Sequence, residues 1–202
     1  MPTQSWEWRR RSTARVRAVL VAALVLSSLG AARQRVTDRV LFDRWGSNTE
    51  LLPGPATPIG FYSAGCLQGA QVLPTDGPGY AVMRLSRRRF YGHPSLVSYL
   101  TDLAARTYHD NGKLLLIGDL SLPRGGPMLT GHVSHQNGLD ADVWLMTRAN
   151  RPTSVERDSL SAPGFVDGRK RLKSTWGEAQ ARLLTAAADN AGINRIFVSP
   201  PI

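Results

Sequence analysis

Apolar positions recur along the chain with two different periods, and each period predicts a different kind of element. Pro94 opens a stretch in which Leu96, Leu100, Leu103, Ala104 and Thr107 fall on one helical face, and Asn111 and Gly112 supply a left-handed stop. An amphipathic helix is expected there. Residues 114–117 then form an unbroken apolar run between Lys113 and Gly118, which suits a short buried strand packed against that helix. Residues 141–146 read as another strand. Residues 175–190 read as a second amphipathic helix with Trp176, Ala179, Leu183, Leu184 and Ala187 inward, Thr175 and Glu178 at capping-box spacing, and a stop at 190–192. A last strand is expected over 195–199.

Ahead of the first helix the periodicity is weaker. Between residues 60 and 82, short apolar runs alternate with Gly and Pro pairs, which predicts short strands joined by turns. Pro53, Pro55 and Pro58 exclude a regular helix, so residues 33–58 read as an irregular segment running over the surface before the core begins. Strands and helices in irregular order, with turn-rich connections, favour an α+β fold with an antiparallel sheet core and flanking helices over a doubly wound parallel sheet. No repeat period appears, which excludes a solenoid or propeller.

The 202 residues, 42% of them hydrophobic, suit one domain with a packed core. The net charge of +10 raises the question of nucleic acid, but five arginines between Arg9 and Arg17, set against Glu7, supply a net four of those charges. That basic stretch is followed by an apolar, small-residue run over 18–32 with Gly30 and Ala32 placed for signal-peptidase cleavage. Residues 1–32 therefore read as a secretory signal peptide, too short in its apolar part for the roughly 20 residues of a membrane span. An exported chain follows, with no stable span beyond the signal and no nucleic-acid partner. An uncleaved anchor on a basic, membrane-attached interaction protein is the competing reading of the same segment. The remaining basic excess suits any polyanion, including an acidic cell wall.

Cys66 is the only cysteine, an odd number for an oxidising compartment. Its neighbours Ser63, Ala64 and Gly65 offer nothing to lower a thiol pKa, which argues against a nucleophile.

Chemistry concentrates elsewhere. His109 lies in a helix's last turn, where the dipole favours a cation, and His93 precedes Pro94 as a turn residue. His132, His135, Asp140 and Asp142 instead cluster between a Gly-rich loop and a strand. Zinc takes imidazole nitrogen and carboxylate oxygen in a tetrahedral shell, and a hydrolytic site needs three protein ligands and one water position. His135 and Asp142 supply two such ligands. Asp140, two residues from Asp142 on an extended stretch, is expected on the same face, where one carboxylate binds metal and the other orients an imidazole or substrate. The bland alternative is a turn of solvated carboxylates and backbone-bonded histidines. No His-Glu-x-x-His helix, Gly-x-Ser-x-Gly elbow or phosphate loop is present.

The run Ser134, His135, two residues, Gly138, three residues, Asp142 resembles the first metal-binding motif of the zinc peptidases that include lysostaphin, D-Ala-D-Ala peptidases and hedgehog domains. Residues 61–69, 88–96, 116–144 and 195–202 resemble the penicillin-insensitive murein endopeptidases in particular. The resemblance implies a periplasmic zinc endopeptidase cleaving D-alanyl-diaminopimelate cross-links of peptidoglycan, with Zn2+ on His135 and Asp142, His132 as an additional active-site histidine, and Cys66 at a position that forms a disulfide in relatives. It also implies a third ligand from a His-x-His pair, whereas no His follows His135 here. The expectation is a C-terminally truncated chain whose residues 59–202 are the N-terminal portion of the domain. A non-catalytic cell-wall-binding module of the same fold is the alternative.

Overall fold

The structure is a computed structural model that describes residues 43–128 and 133–202. The expected signal peptide, the first part of the 33–58 segment and His132 lie outside the described residues. The chain divides into two units, Met1–Arg44 and Trp45–Ile202, and the elements below belong to the second.

Strands β1 (Thr57–Phe61) and β2 (Ala64–Gln68) form an antiparallel hairpin in which Ile59 pairs with Cys66 and Phe61 with Ala64. A second small pair joins β3 (Gln71–Val72) to β6 (Tyr91–Gly92). The central sheet has the order β4 (Asp76–Gly77), β5 (Tyr80–Val82), β7 (Leu114–Ile117), β8 (Val143–Arg148). The α+β class holds, with one refinement: β5 and β7 run parallel, because helix α1 (Pro94–Asn111) carries the chain back across the sheet between them.

Helix α1 forms where the sequence places it. The His93 imidazole accepts from the Ser95 N–H at the N-cap, Pro94 occupies the first turn, and Gly112, at φ 66°, closes the helix by donating its N–H to the Tyr108 carbonyl. Its buried stripe of Leu96, Val97, Leu100, Leu103, Ala104 and Thr107 faces the sheet. Alternation in β7 then divides the core: Leu115 and Ile117 join Tyr80, Val82 and the α1 stripe, while Leu116 packs with Ala81, Met83 and Trp144 on the other face. All four residues of β7 are buried, which is why its sequence is apolar without alternation.

Three expectations need correction. The strand expected from 141 begins at Val143 and runs to Arg148, with a register shift opposite Leu115 and Leu116 that bends it. The second amphipathic helix is shorter, Glu178–Ala188, and is α3 here, following the single turn and a half of α2 (Ser154–Ser159). Its N-cap is Gly177, whose N–H donates to the Gln180 side chain, and Thr175 with Glu178 forms no capping box. Trp176 sits in the preceding turn with its ring against the edge of Phe165, at 5.7 Å between centroids, so it leaves the helical stripe; Leu183 is buried, Leu184 and Ala187 half-buried, and Ala179 exposed. Residues 195–199 form no strand: they pair with no described strand, and Phe197 is 77% exposed. Among the described residues no helix is long and apolar enough to cross a membrane.

Candidate functional site

The loop between β7 and β8 brings His135, Asp140 and Asp142 around one imidazole ring. His135 is buried and adopts a left-handed backbone, φ 67°, a conformation that costs a non-glycine residue about 1 kcal/mol or more and persists where its surroundings hold it. The hold here is Asp140. Its carboxylate accepts from the His135 N–H at 3.1 and 3.0 Å. The ring Nδ1 lies 2.9 Å from Asp140 Oδ2 and 3.2 Å from the Asp140 carbonyl.

Around this pair the loop is tied to three elements. Gln136 fastens it to the β1–β2 turn: its N–H donates to the Tyr62 carbonyl at 2.9 Å, its side-chain amide donates to the Ser63 carbonyl at 2.9 Å, and its side-chain oxygen accepts from the Gly65 N–H at 3.3 Å. The Gly138 carbonyl accepts from the His93 N–H at 2.8 Å, anchoring the loop to the start of α1. Gly138 has φ 72°, and a Cβ there would stand 2.3 Å from Leu67 Cδ2, so both its torsion and its space require glycine. At the loop's end the Asp142 N–H donates to the Asp119 carbonyl at 2.9 Å.

Asp140 and Asp142 were expected side by side on one face of an extended stretch. They flank opposite nitrogens of a single ring: Asp140 at Nδ1 and Asp142 at Nε2, with Nε2 3.5 Å from Asp142 Oδ1. The left-handed turn at His135 brings the chain back on itself, which strand alternation alone does not anticipate.

The two oxygens beside Nδ1 are acceptors, so Nδ1 carries the proton and Nε2 is the atom turned toward Asp142. A separation of 3.5 Å exceeds an ordinary N–H to O bond. It matches the edge of a tetrahedral shell, about 3.4 Å for metal–ligand bonds of roughly 2.1 Å. An imidazole held at its far nitrogen by a carboxylate is also the usual support of a histidine ligand. His135 and Asp142 thus fit two ligands of one divalent cation, with Asp140 behind the ring. Among the described residues no group of three or more His, Cys, Asp or Glu side chains is arranged to hold a metal. The Asp142 side chain is 40% exposed whereas the imidazole is buried, so the site opens on its carboxylate side.

Without a metal the ring is a strong base. Burial opposes its charged form, but the Asp140 carboxylate at Nδ1 and the negative charge of Asp142 beside Nε2 outweigh burial and raise the His135 pKa from 6.5 to about 10. A pKa raised on folding contributes stability that is complete below about pH 6.5 and lost as pH climbs through about 10. In chelator, the melting temperature of the chain minus that of His135→Asn should fall across this window; a flat difference from pH 6 to 10.5 refutes the ring's environment.

The remaining expectations are placed as follows. His93 is a capping residue, with Nδ1 2.7 Å from Ser95 Oγ, and His109 is exposed at the end of α1 beside Asp110. Cys66 is a half-buried free thiol on β2. Two features were missed. Gln136 lies inside the motif but shows no sequence sign of its clamp, and Asp119, paired with Arg87 and Arg89, reads in sequence as a loop aspartate.

The pattern shared by penicillin-insensitive murein endopeptidases matches residues 58–202, from the second residue of β1 onward, and includes the whole of this loop. This chain belongs to the penicillin-insensitive murein endopeptidase family. Family relatives bearing that description include one from Haemophilus influenzae, 42% identical over 155 residues, covering 74% of this chain and 53% of the relative. One from Klebsiella pneumoniae is 39% identical over 160 residues, covering 78% and 58%. One from Escherichia coli O157:H7 is 35% identical over 187 residues, covering 92% and 65%. The chain thus spans little more than half the length of the first two.

Proposed function

We propose that this chain carries two of the ligands of a zinc-dependent endopeptidase that hydrolyses D-alanyl-diaminopimelate cross-links of peptidoglycan in the periplasm, the third ligand being the His-x-His pair that the family resemblance implies and residues 136–202 do not contain. The observation that carries the reading is the His135 ring set between two carboxylates, with Nε2 and Asp142 Oδ1 one tetrahedral edge apart. The relatives' names supply the substrate class. His135 and Asp142 would hold the zinc, and the Asp140 carboxylate keeps the Nδ1 proton and fixes the plane of the ring. Zinc, when bound, polarises a scissile carbonyl and brings the pKa of water toward neutrality. Asp142 is partly open to solvent while the imidazole is buried, so a peptide would reach the metal from the carboxylate side. His132 is proposed as an additional active-site histidine.

The test uses the chain completed with a His-x-His segment, supplied with zinc and given soluble cross-linked muropeptide dimers, beside the 202-residue chain, which should bind zinc more weakly. Monomers should accumulate, vanish with a chelator, return with added zinc, and be indifferent to penicillin. Sedimentation with sacculi that no chelator affects, with dimers left intact, would identify a wall-binding module instead.

A further inference from the structure

Asp119 lies under the loop with its carboxylate buried, and a single oxygen, Oδ2, accepts from Arg87 at 2.8 Å and from Arg89 at 2.7 Å. Arg89 is buried as well, while the Arg87 side chain is 38% exposed. The main chain of the same segment reaches Asp142. The Asp119 carbonyl accepts from the Asp142 N–H at 2.9 Å, and the Asp142 carbonyl accepts from the Gly118 N–H at 2.8 Å. On the opposite edge, the Leu120 N–H donates to the Arg89 carbonyl at 2.7 Å. Any side chain at Gly118 would bring a Cβ to 3.0 Å from both Asp142 Cβ and Trp144 Nε1, so the two segments pack closely beside Asp142.

The Asp119 backbone is therefore gripped from both sides, and its carboxylate is held by two guanidinium groups. A buried ion pair of this kind contributes little net stability over apolar residues of the same volume, because desolvation offsets the attraction. What it supplies is one geometry. Two charge-assisted bonds on one oxygen define where Asp119 stands, and Asp142 takes its position from Asp119.

We infer that Asp119, clamped by Arg89 and Arg87, is a positioning residue for Asp142, fixing the main chain from which that carboxylate meets a metal opposite His135. The inference rests on the reading of His135 and Asp142 as zinc ligands. It is tested on the full chain by metal affinity and by the visible spectrum of the cobalt-substituted protein, neither of which depends on turnover. Asp119→Asn should weaken zinc binding about 10- to 100-fold, the range for residues that support a ligand, and should alter the cobalt bands. Arg87→Gln, which keeps the buried Arg89 pair, should weaken zinc several-fold, and Arg87→Lys should recover most of the loss. If Asp119→Asn does not fold, Arg87→Gln alone decides. Zinc affinity within twofold of the unaltered chain, with unchanged cobalt bands, in every variant that folds would make the cluster structural only and overturn the inference. Failure of the unaltered chain to take up zinc or cobalt would remove the reading of the site itself, and this inference with it.

Discussion

In a chain completed with the His-x-His pair, exchange of His135 for asparagine is expected to abolish stoichiometric zinc uptake and to lower cross-link hydrolysis by about a thousandfold or more. Asparagine is the informative replacement because it tolerates the left-handed backbone that residue 135 adopts, φ 67°, so the fold is spared the strain that alanine would add. It removes the imidazole, and with it the contact to Asp140, while leaving the backbone torsion in place. Lewis-acid assistance of several kcal/mol disappears with the metal, and about 4 kcal/mol corresponds to about a thousandfold in rate. Asp142→Ala should match it, since each residue is one half of the pair that stands 3.5 Å apart. Circular dichroism should show the helices intact in both. Undiminished hydrolysis in either variant would end the case for a metal at this pair.

The largest effect on stability is expected at Arg157, far along the sequence from the site. Its side chain is buried and donates to the carbonyls of Thr75 at 2.8 Å, Val82 at 3.0 Å and Pro152 at 3.3 Å, and to the Asp76 carboxylate. Methionine in its place keeps the volume of the stem but leaves these acceptors without their donor. Breaking such a buried charged network by removing one member costs about 3–5 kcal/mol. For a chain of this size that corresponds to roughly 10 °C in melting temperature. Asp76 gives an independent reading. Burial opposes its charged form, yet bonds from Arg157 and Arg151 outweigh it and hold the pKa below 3.8. A pKa lowered on folding stabilises above about pH 3.8 and is lost as pH falls through the folded value, so Arg157→Met should flatten that acid limb. A melting temperature within 2 °C of the unaltered chain would show that these bonds are replaceable by water.

Elements specified by local signals were legible in the sequence. Helix α1 carries its own start, stripe and stop in Pro94, the leucines and Gly112, and β7 announces its burial through four apolar residues in a row. Elements that depend on distant partners were not. The run over 195–199 has β-prone residues, but a strand is made by a neighbour, and none of the described strands pairs with it. The parallel pairing of β5 with β7 joins residues more than 30 positions apart, and neither segment's pattern names its partner. The start of α3 lies later than expected because the local cap that forms is Gly177 with Gln180, not Thr175 with Glu178, and Trp176 packs on Phe165 ahead of it.

The site divides along the same line. A cluster of His and Asp in a Gly-containing loop drew attention to His135, Asp140 and Asp142 from composition alone. Which nitrogen each carboxylate meets depends on one torsion at His135, and torsions of that kind leave no sequence signature outside glycine. The Asp119 cluster was invisible because its partners sit about 30 residues away across the fold.

One side-chain amide adds to the packing of Gly138 on Leu67 in joining the loop to the β1–β2 hairpin. Gln136 uses both ends of its side chain and its main chain on the turn between β1 and β2, and it is the residue next to His135. Phe61, 75% exposed, projects from that same turn. The turn and the backbone of His135 are thus coupled: a ligand that displaces the turn strains the three bonds of Gln136, the residue next to the imidazole.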